Sequence, residues 1–161
     1  PRLVTHPDKP SEQVLFLNRR DDHFPDAASW NFPMGRKGEV ELNLLLQPGA
    51  DAVIVALTDH FRYPNDPEAE AQGMFSFQLD ESLLEVGKWH RLTLRWDLLQ
   101  EHCVLLHQGR LLTFSEGRRD CLTGISYLRL RYLAEGVNEN GIMISQVRAV
   151  TTQNLSLNAR W

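Results

Sequence analysis

The chain has 161 residues, with 17 Lys and Arg against 21 Asp and Glu, a formal net charge of −4. An apolar fraction of 42% and a charged fraction of 24% suit one packed domain rather than a disordered segment. No stretch approaches the roughly 20 apolar residues of a bilayer-spanning helix. The acidic balance also lacks the basic footprint of a general nucleic-acid binder, so neither membrane nor nucleic acid is an expected partner.

Residues 1–13 carry Pro1, Pro7 and Pro10 among polar side chains, with no apolar signal-peptide core, and read as a linker. That opening predicts a piece of a larger protein. The first clear strand runs from Gly38 to Leu46, where Val40, Leu42, Leu44 and Leu46 alternate with Glu39, Glu41 and Asn43. Gln47–Asp51 supplies a turn, and Val53–Leu57 is a β-branched strand. Asp59–Gln72 is a long polar loop containing Pro64 and Pro67.

Met74–Leu79 and Trp89–Trp96 are further strands, with one helical turn allowed over Asp80–Glu85 before Gly87. Cys103–His107 and Arg110–Phe114 flank Gln108-Gly109, the signature of a hairpin with a two-residue turn. In Ser126–Leu133, Leu128, Leu130 and Tyr132 oppose Tyr127, Arg129 and Arg131. Gly141–Val150 is the last strong strand, and its apolar phase slips between Ile144 and Val147, which predicts a bulge. Residues 14–150 thus form the domain, and 151–161 a linker-like tail. Many short strands, Gly/Pro/Asp turns and no internal repeat predict an all-β, two-sheet antiparallel sandwich of jelly-roll type.

Three segments carry a resemblance: Phe32-Pro33 to Pro48 with its Gly38-Glu39-Val40-Glu41 core, Gly87–Asp97, and Gly141–Arg148. Together they resemble the concanavalin A-like jelly roll shared by laminin G-type modules, many lectins and several glycanases. Asp21–Pro33 is similar to accessory modules of sialidase-like carbohydrate-active enzymes. The resemblance implies a secreted or periplasmic location and a parent that is a glycoside hydrolase. Many such modules hold calcium through an acidic residue in the last strand. Here Ser145-Gln146 stands at that place, and neither is a carboxylate.

Candidate chemistry is limited. Glu39 and Glu41 share a face, as a hydrolase's paired carboxylates do, but a solvated outer strand face has the same pattern. Arg91 and Arg95 share a face with Trp89, and Arg129 and Arg131 with Tyr127. If those strands are neighbours, guanidinium groups stand beside aromatic rings, a surface suited to carboxylated or sulfated glycans. The alternative is cross-strand pairing of the arginines with Glu39, Glu41 or other acids.

The loop around His60, Arg62 and Tyr63 offers either ligand contacts or a docking surface for a neighbouring domain. Trp89 is either a sugar platform or a corner plug. The six histidines show no metal-ligand spacing, and no Gly-x-Ser-x-Gly elbow is present, so no metal, cofactor or catalytic residue is expected. Cys103 and Cys121 allow either one bridge or two free thiols. Asn154-Leu155-Ser156 matches a glycosylation sequon.

The expected function is a non-catalytic carbohydrate-binding or accessory module of a larger secreted glycan-processing protein. The expected partner is a glycan, anionic if the arginines act together, or a neighbouring domain of the same chain. Two rivals stand beside it: a structural domain packed against a catalytic neighbour, and a small glycan hydrolase or lyase in its own right.

Overall fold

Alternating side chains need two sheets that bury one face each, and the chain supplies them. The structure, a computed structural model, describes residues 1–64, 66, 68–71, 73–118, 121 and 123–152. Its strands are β1 (Arg2–His6), β2 (Lys9–Arg19), β3 (Ala27–Gly35), β4 (Lys37–Leu46) and β5 (Ala52–Thr58). After the short helix α1 (Glu68–Ala71) come β6 (Phe75–Leu79), β7 (Trp89–Asp97), β8 (His102–His107), β9 (Arg110–Glu116), β10 (Ile125–Leu133) and β11 (Asn138–Thr152).

Every pairing is antiparallel. One sheet has seven strands in the order β1-β2-β11-β4-β7-β8-β9, and the other has four in the order β3-β10-β5-β6. Between them lies the core. Val40, Leu42, Leu44, Leu92, Leu94, Trp96 and Leu105 of the larger sheet meet Val53, Val55, Leu57, Phe75, Phe77, Leu128 and Tyr132 of the smaller. The expected two-sheet antiparallel sandwich is the observed one.

Two local expectations hold in detail. Gln108 and Gly109 join β8 to β9 with φ of 50° and 80°, the left-handed pair that a two-residue hairpin turn demands. In β11 the register with β4 shifts between Ser145 and Arg148, and Gln146 has φ of 51°, so the phase slip is a bulge. Over Asp80–Glu85 the amides of Leu83 and Leu84 both donate to the Asp80 carbonyl, and the turn buries Leu84.

Residues 1–13 differ from the linker reading. They build β1 and the start of β2, at the edge of the larger sheet. An edge strand buries little, so β1 shows no row of buried apolar residues to betray it. Pro10 is tolerated because it falls where the register jumps from His6↔Lys9 to Thr5↔Gln13, and its missing N–H costs no ladder bond. The hairpin is tied down by Trp89, whose indole stacks on His6 at 4.7 Å and donates to Asp8 Oδ2 at 2.9 Å.

Both cysteines are free thiols. Cys103 faces the core from β8, where burial pushes its thiol pKa up. Cys121 lies outside any strand, with its Sγ 3.9 Å from Asp59 Oδ2. The sequon and Trp161 fall outside the described residues.

A histidine pair locks the β7–β8 corner. His90, 4% exposed, donates from Nε2 to the Glu85 carbonyl (2.8 Å) and accepts at Nδ1 from His107 Nε2 (2.9 Å). Burial first, then the neighbouring His90, holds the His107 pKa below its ordinary 6.5. Folding therefore favours neutral His107, and its contribution is complete above about pH 6.5, the value in the unfolded chain. As pH falls below that value the unfolded chain takes up the proton first, and stability drops until the folded group also titrates. Urea midpoints measured between pH 7.5 and 5 should fall with acidity in the wild type and less steeply in His107→Gln. Equal slopes would refute the assignment.

Candidate functional site

The β4–β7 register decides what stands on the outer face of the larger sheet. It sets Lys37 opposite Asp97, Glu39 opposite Arg95 and Asn43 opposite Arg91, while Val40 and Leu42 face inward opposite Leu94 and Leu92. Three ion pairs follow in a row. Lys37 Nζ lies 2.6 Å from Asp97 Oδ2, Arg95 Nη2 lies 3.0 Å from Glu39 Oε2, and Arg91 reaches diagonally to Glu41 Oε2 at 2.6 Å. Partial burial pushes the Asp97 carboxyl up, but the hydrogen bonds from Lys37 and the Leu99 amide and the charge of Lys37 outweigh it, leaving the pKa lowered. The hydrogen bond to Glu41, then its charge, raises that of Arg91.

Exposed pairs of this kind add little stability. Their effect is geometric. A paired guanidinium keeps free N–H donors and a paired carboxylate keeps free lone pairs, so each pair presents donors and acceptors at fixed positions.

Two adjoining depressions of about 420 and 560 Å³ run along this row and share Glu39 and Arg95. Their second wall has an apolar centre flanked by His102 and Gln108. Val104 and Leu106 of β8 line it, and their β9 partners Phe114 and Leu111 continue it, each 63% exposed. The floor depends on Gly38: a Cβ there would fall 2.6 Å from the Trp96 ring and 2.6 Å from the Val150 carbonyl oxygen. The result is an amphipathic groove, with planar hydrogen-bonding groups on one side and aliphatic and aromatic surface on the other.

The arginines expected to act together are divided. Arg91 and Arg95 stand on this groove, paired with Glu41 and Glu39 as the cross-strand alternative required. Arg129, Arg131 and Tyr127 stand on β10, whose neighbours are β3 and β5 in the other sheet. The condition for a shared arginine face therefore fails, because β7 and β10 belong to opposite layers.

Arg129 is 1% exposed, and its guanidinium donates to the carbonyls of Pro64 (2.8 Å) and Asp66 (2.6 Å). It pins Pro64 and Asp66 at the outer face of the smaller sheet, where Ile54, Ala56 and Thr58 are also buried. It is a strut for that loop, not a ligand contact. Arg131 is half-buried on the same strand. Trp89 shares its face with Arg91 but is engaged by His6 and Asp8, in the manner of a plug.

Tyr127 and Tyr63 do converge on one loop residue, and His60 and Arg62 of the same loop are bonded to each other. Phe61 lies between the two tyrosines, with its ring centre 6.1 Å from each. Sequence reasoning missed Lys37, Asp97, Leu111 and Phe114. The first two flank strands whose register was unknown. The other two sit beside a bulge in β9, where the register shifts between the partners of Leu105 and Leu106 and the alternation that would place them is broken.

No family model and no curated protein matches the chain. Solved structures do match. A sialidase superposes with a TM-score of 0.71 at 11% identity over 93% of this chain, which spans only 17% of the sialidase's length. The carbohydrate-binding module CBM66 from Bacillus subtilis superposes with a TM-score of 0.50 at 10% identity, covering 92% of this chain and 90% of that one. A tetrameric galectin from the ball sponge Cinachyrella sp. gives 0.50 at 10% identity, covering 77% and 99%. All share the lectin-like β-sandwich, and at these identities the likeness is one of fold.

The strut role of Arg129 has a measurable cost. Arg129→Met removes the donors to the half-buried Pro64 and Asp66 carbonyls, leaving the latter only the Ala69 amide, and is expected to lower the unfolding free energy by about 1–3 kcal/mol. Hydrogen exchange should quicken at the amides of Asp66 and Ala69, which close the loop's turns. An unchanged urea midpoint would show that the loop is held by something else.

Proposed function

We propose that this chain is a carbohydrate-binding domain that lays a glycan along the groove of its seven-stranded sheet. The observation that carries the reading is the facing of two unlike walls across one groove. Sugars present hydroxyls around a rim and C–H groups on their faces, so they need planar hydrogen-bonding groups and apolar surface at once. Arg91–Glu41 and Arg95–Glu39 supply the first, with the Lys37–Asp97 pair at their end. Val104, Leu106 and Phe114 supply the second. The pairs also hold three positive and three negative groups, so the groove is balanced and suits a neutral glycan.

The domain acts as a non-catalytic accessory module of a larger secreted or periplasmic glycan-processing protein. The superposition on one-sixth of a sialidase supports that context. Glu39 and Glu41 each accept from an arginine, whereas a hydrolase requires one of its two carboxyls as a proton donor. A second reading, a face that docks a neighbouring domain, is favoured by the exposed Leu111 and Phe114 on the edge strand β9.

A glycan array probed with this chain, followed by calorimetry on the neutral hits, tests the reading. Arg95→Ala and Phe114→Ala should each weaken binding by about tenfold, the loss typical of a principal contact, with no fall in the thermal midpoint. An empty array, or affinity indifferent to both substitutions, would overturn it in favour of docking.

A further inference from the structure

The groove leaves one cluster of unusual chemistry unused, on the opposite side of the sandwich. Phe61 and Tyr63 are 55% and 74% exposed, yet the rings of Phe61, Tyr63 and Tyr127 gather. Their planes meet at 58° and 61°, so they form the walls of a corner rather than a flat patch. Arg62 lies between two of them in the chain.

Arg62 is held from behind. Its Nε donates to His60 Nε2 at 2.9 Å, and His60 Nδ1 donates to Asp59 Oδ1 at 2.5 Å. Accepting at Nε2 and donating at Nδ1 fixes His60 as one neutral tautomer. The Asp59 carboxylate is only 13% exposed, so the base of this relay is rigid.

The loop is anchored as well. Thr58 Oγ1 donates to the His60 carbonyl (2.8 Å), Ser126 Oγ to the Asp59 carbonyl (3.2 Å), and Arg129 holds Pro64 and Asp66. A site ordered before binding loses little entropy on binding.

The contrast with the groove is one of charge. Arg91 and Arg95 have carboxylates at 2.6 and 3.0 Å. Arg62 has no carboxylate partner among the described residues, and its single hydrogen bond uses Nε, which leaves the two Nη groups as an open fork. A fork of that kind matches a carboxylate bidentately, and the rings of Phe61 and Tyr63, its two neighbours in the chain, match the C–H face of a sugar. An added peptide strand fits less well, because β10, which carries Tyr127, is paired on both sides and offers no open edge.

We propose that Phe61, Arg62, Tyr63 and Tyr127 form a second binding site, independent of the groove, for a sugar bearing a carboxylate.

Titration of the ¹⁵N-labelled chain with methyl glucuronide, its neutral twin methyl glucoside, a methyl sialoside and acetate tests this. At least one acidic sugar should shift the Arg62 side-chain resonances and bind at least about fivefold more tightly than methyl glucoside, the margin expected of a bidentate ion pair. Which acidic sugar binds better identifies the source of the carboxylate. Arg62→Gln should erase that preference, and Arg62→Lys should retain only part of it, since a point charge lacks the fork. Tyr63→Ala should weaken all the sugars. Arg62→Gln should leave the affinity of the groove for its neutral glycan unchanged, so failure of the groove reading is distinguishable from failure of this one. Equal affinity for acidic and neutral sugars, acetate binding as well as the acidic sugars, or indifference to Arg62→Gln would overturn the proposal.

Discussion

The register between β4 and β7 is the constraint on which the larger sheet depends. With Leu42 opposite Leu92 and Val40 opposite Leu94, both strands send their leucines and valine inward and their charges outward. A slip of one residue would bury Glu39, Glu41 and Arg95 and expose the leucines, at a cost no surface interaction could offset. Gly38 adds a second lock. The Trp96 ring fills the space a side chain there would take, so only glycine can stand opposite Trp96. The ion pairs are a consequence of this register rather than its cause, since the aliphatic burial beneath them stabilises the sheet far more than exposed charges can.

The two outer faces of the sandwich are managed differently. On the larger sheet the outer face stays open, and its charge is neutralised strand to strand. On the smaller sheet the outer face is buried around Arg129, whose guanidinium supplies Pro64 and Asp66 of the loop with hydrogen bonds. Burying a guanidinium is costly unless its donors are satisfied. Two carbonyls of an irregular segment, which have no ladder of their own, are suitable acceptors. The loop also lifts Phe61, Arg62 and Tyr63 to the end of the sheet beside Tyr127 and holds them there.

Much of this was legible from alternation alone. The strands β4, β5, β7, β10 and β11, the Gln108-Gly109 turn and the bulge at Ser145–Arg148 all follow from local period and turn chemistry. Layer assignment does not. Arg95 in β7 and Arg129 in β10 sit in the same kind of pattern, each flanked by inward-facing residues, yet one is exposed and the other is 1% exposed. The difference comes from a loop more than 60 residues upstream of Arg129, which no local period encodes. β1 stayed hidden for the opposite reason: an edge strand buries one face weakly, and the prolines around it, Pro1, Pro7 and Pro10, imitate a linker.

Net charge is therefore a poor guide to what the surface recognises. The formal total of −4 describes neither outer face. Along the groove, three cations meet three anions and cancel, which removes any long-range preference for a charged ligand and leaves fixed dipolar hydrogen bonding. At the loop Arg62 forms no ion pair with any described carboxylate. Asp59 orients Arg62 through a neutral imidazole instead of pairing with it, so the arginine is positioned without being neutralised. A carboxylate placed in direct contact with Arg62 would have given similar rigidity and removed its capacity to take an acidic ligand. The interposed histidine separates those two effects, keeping the orientation and leaving the charge available.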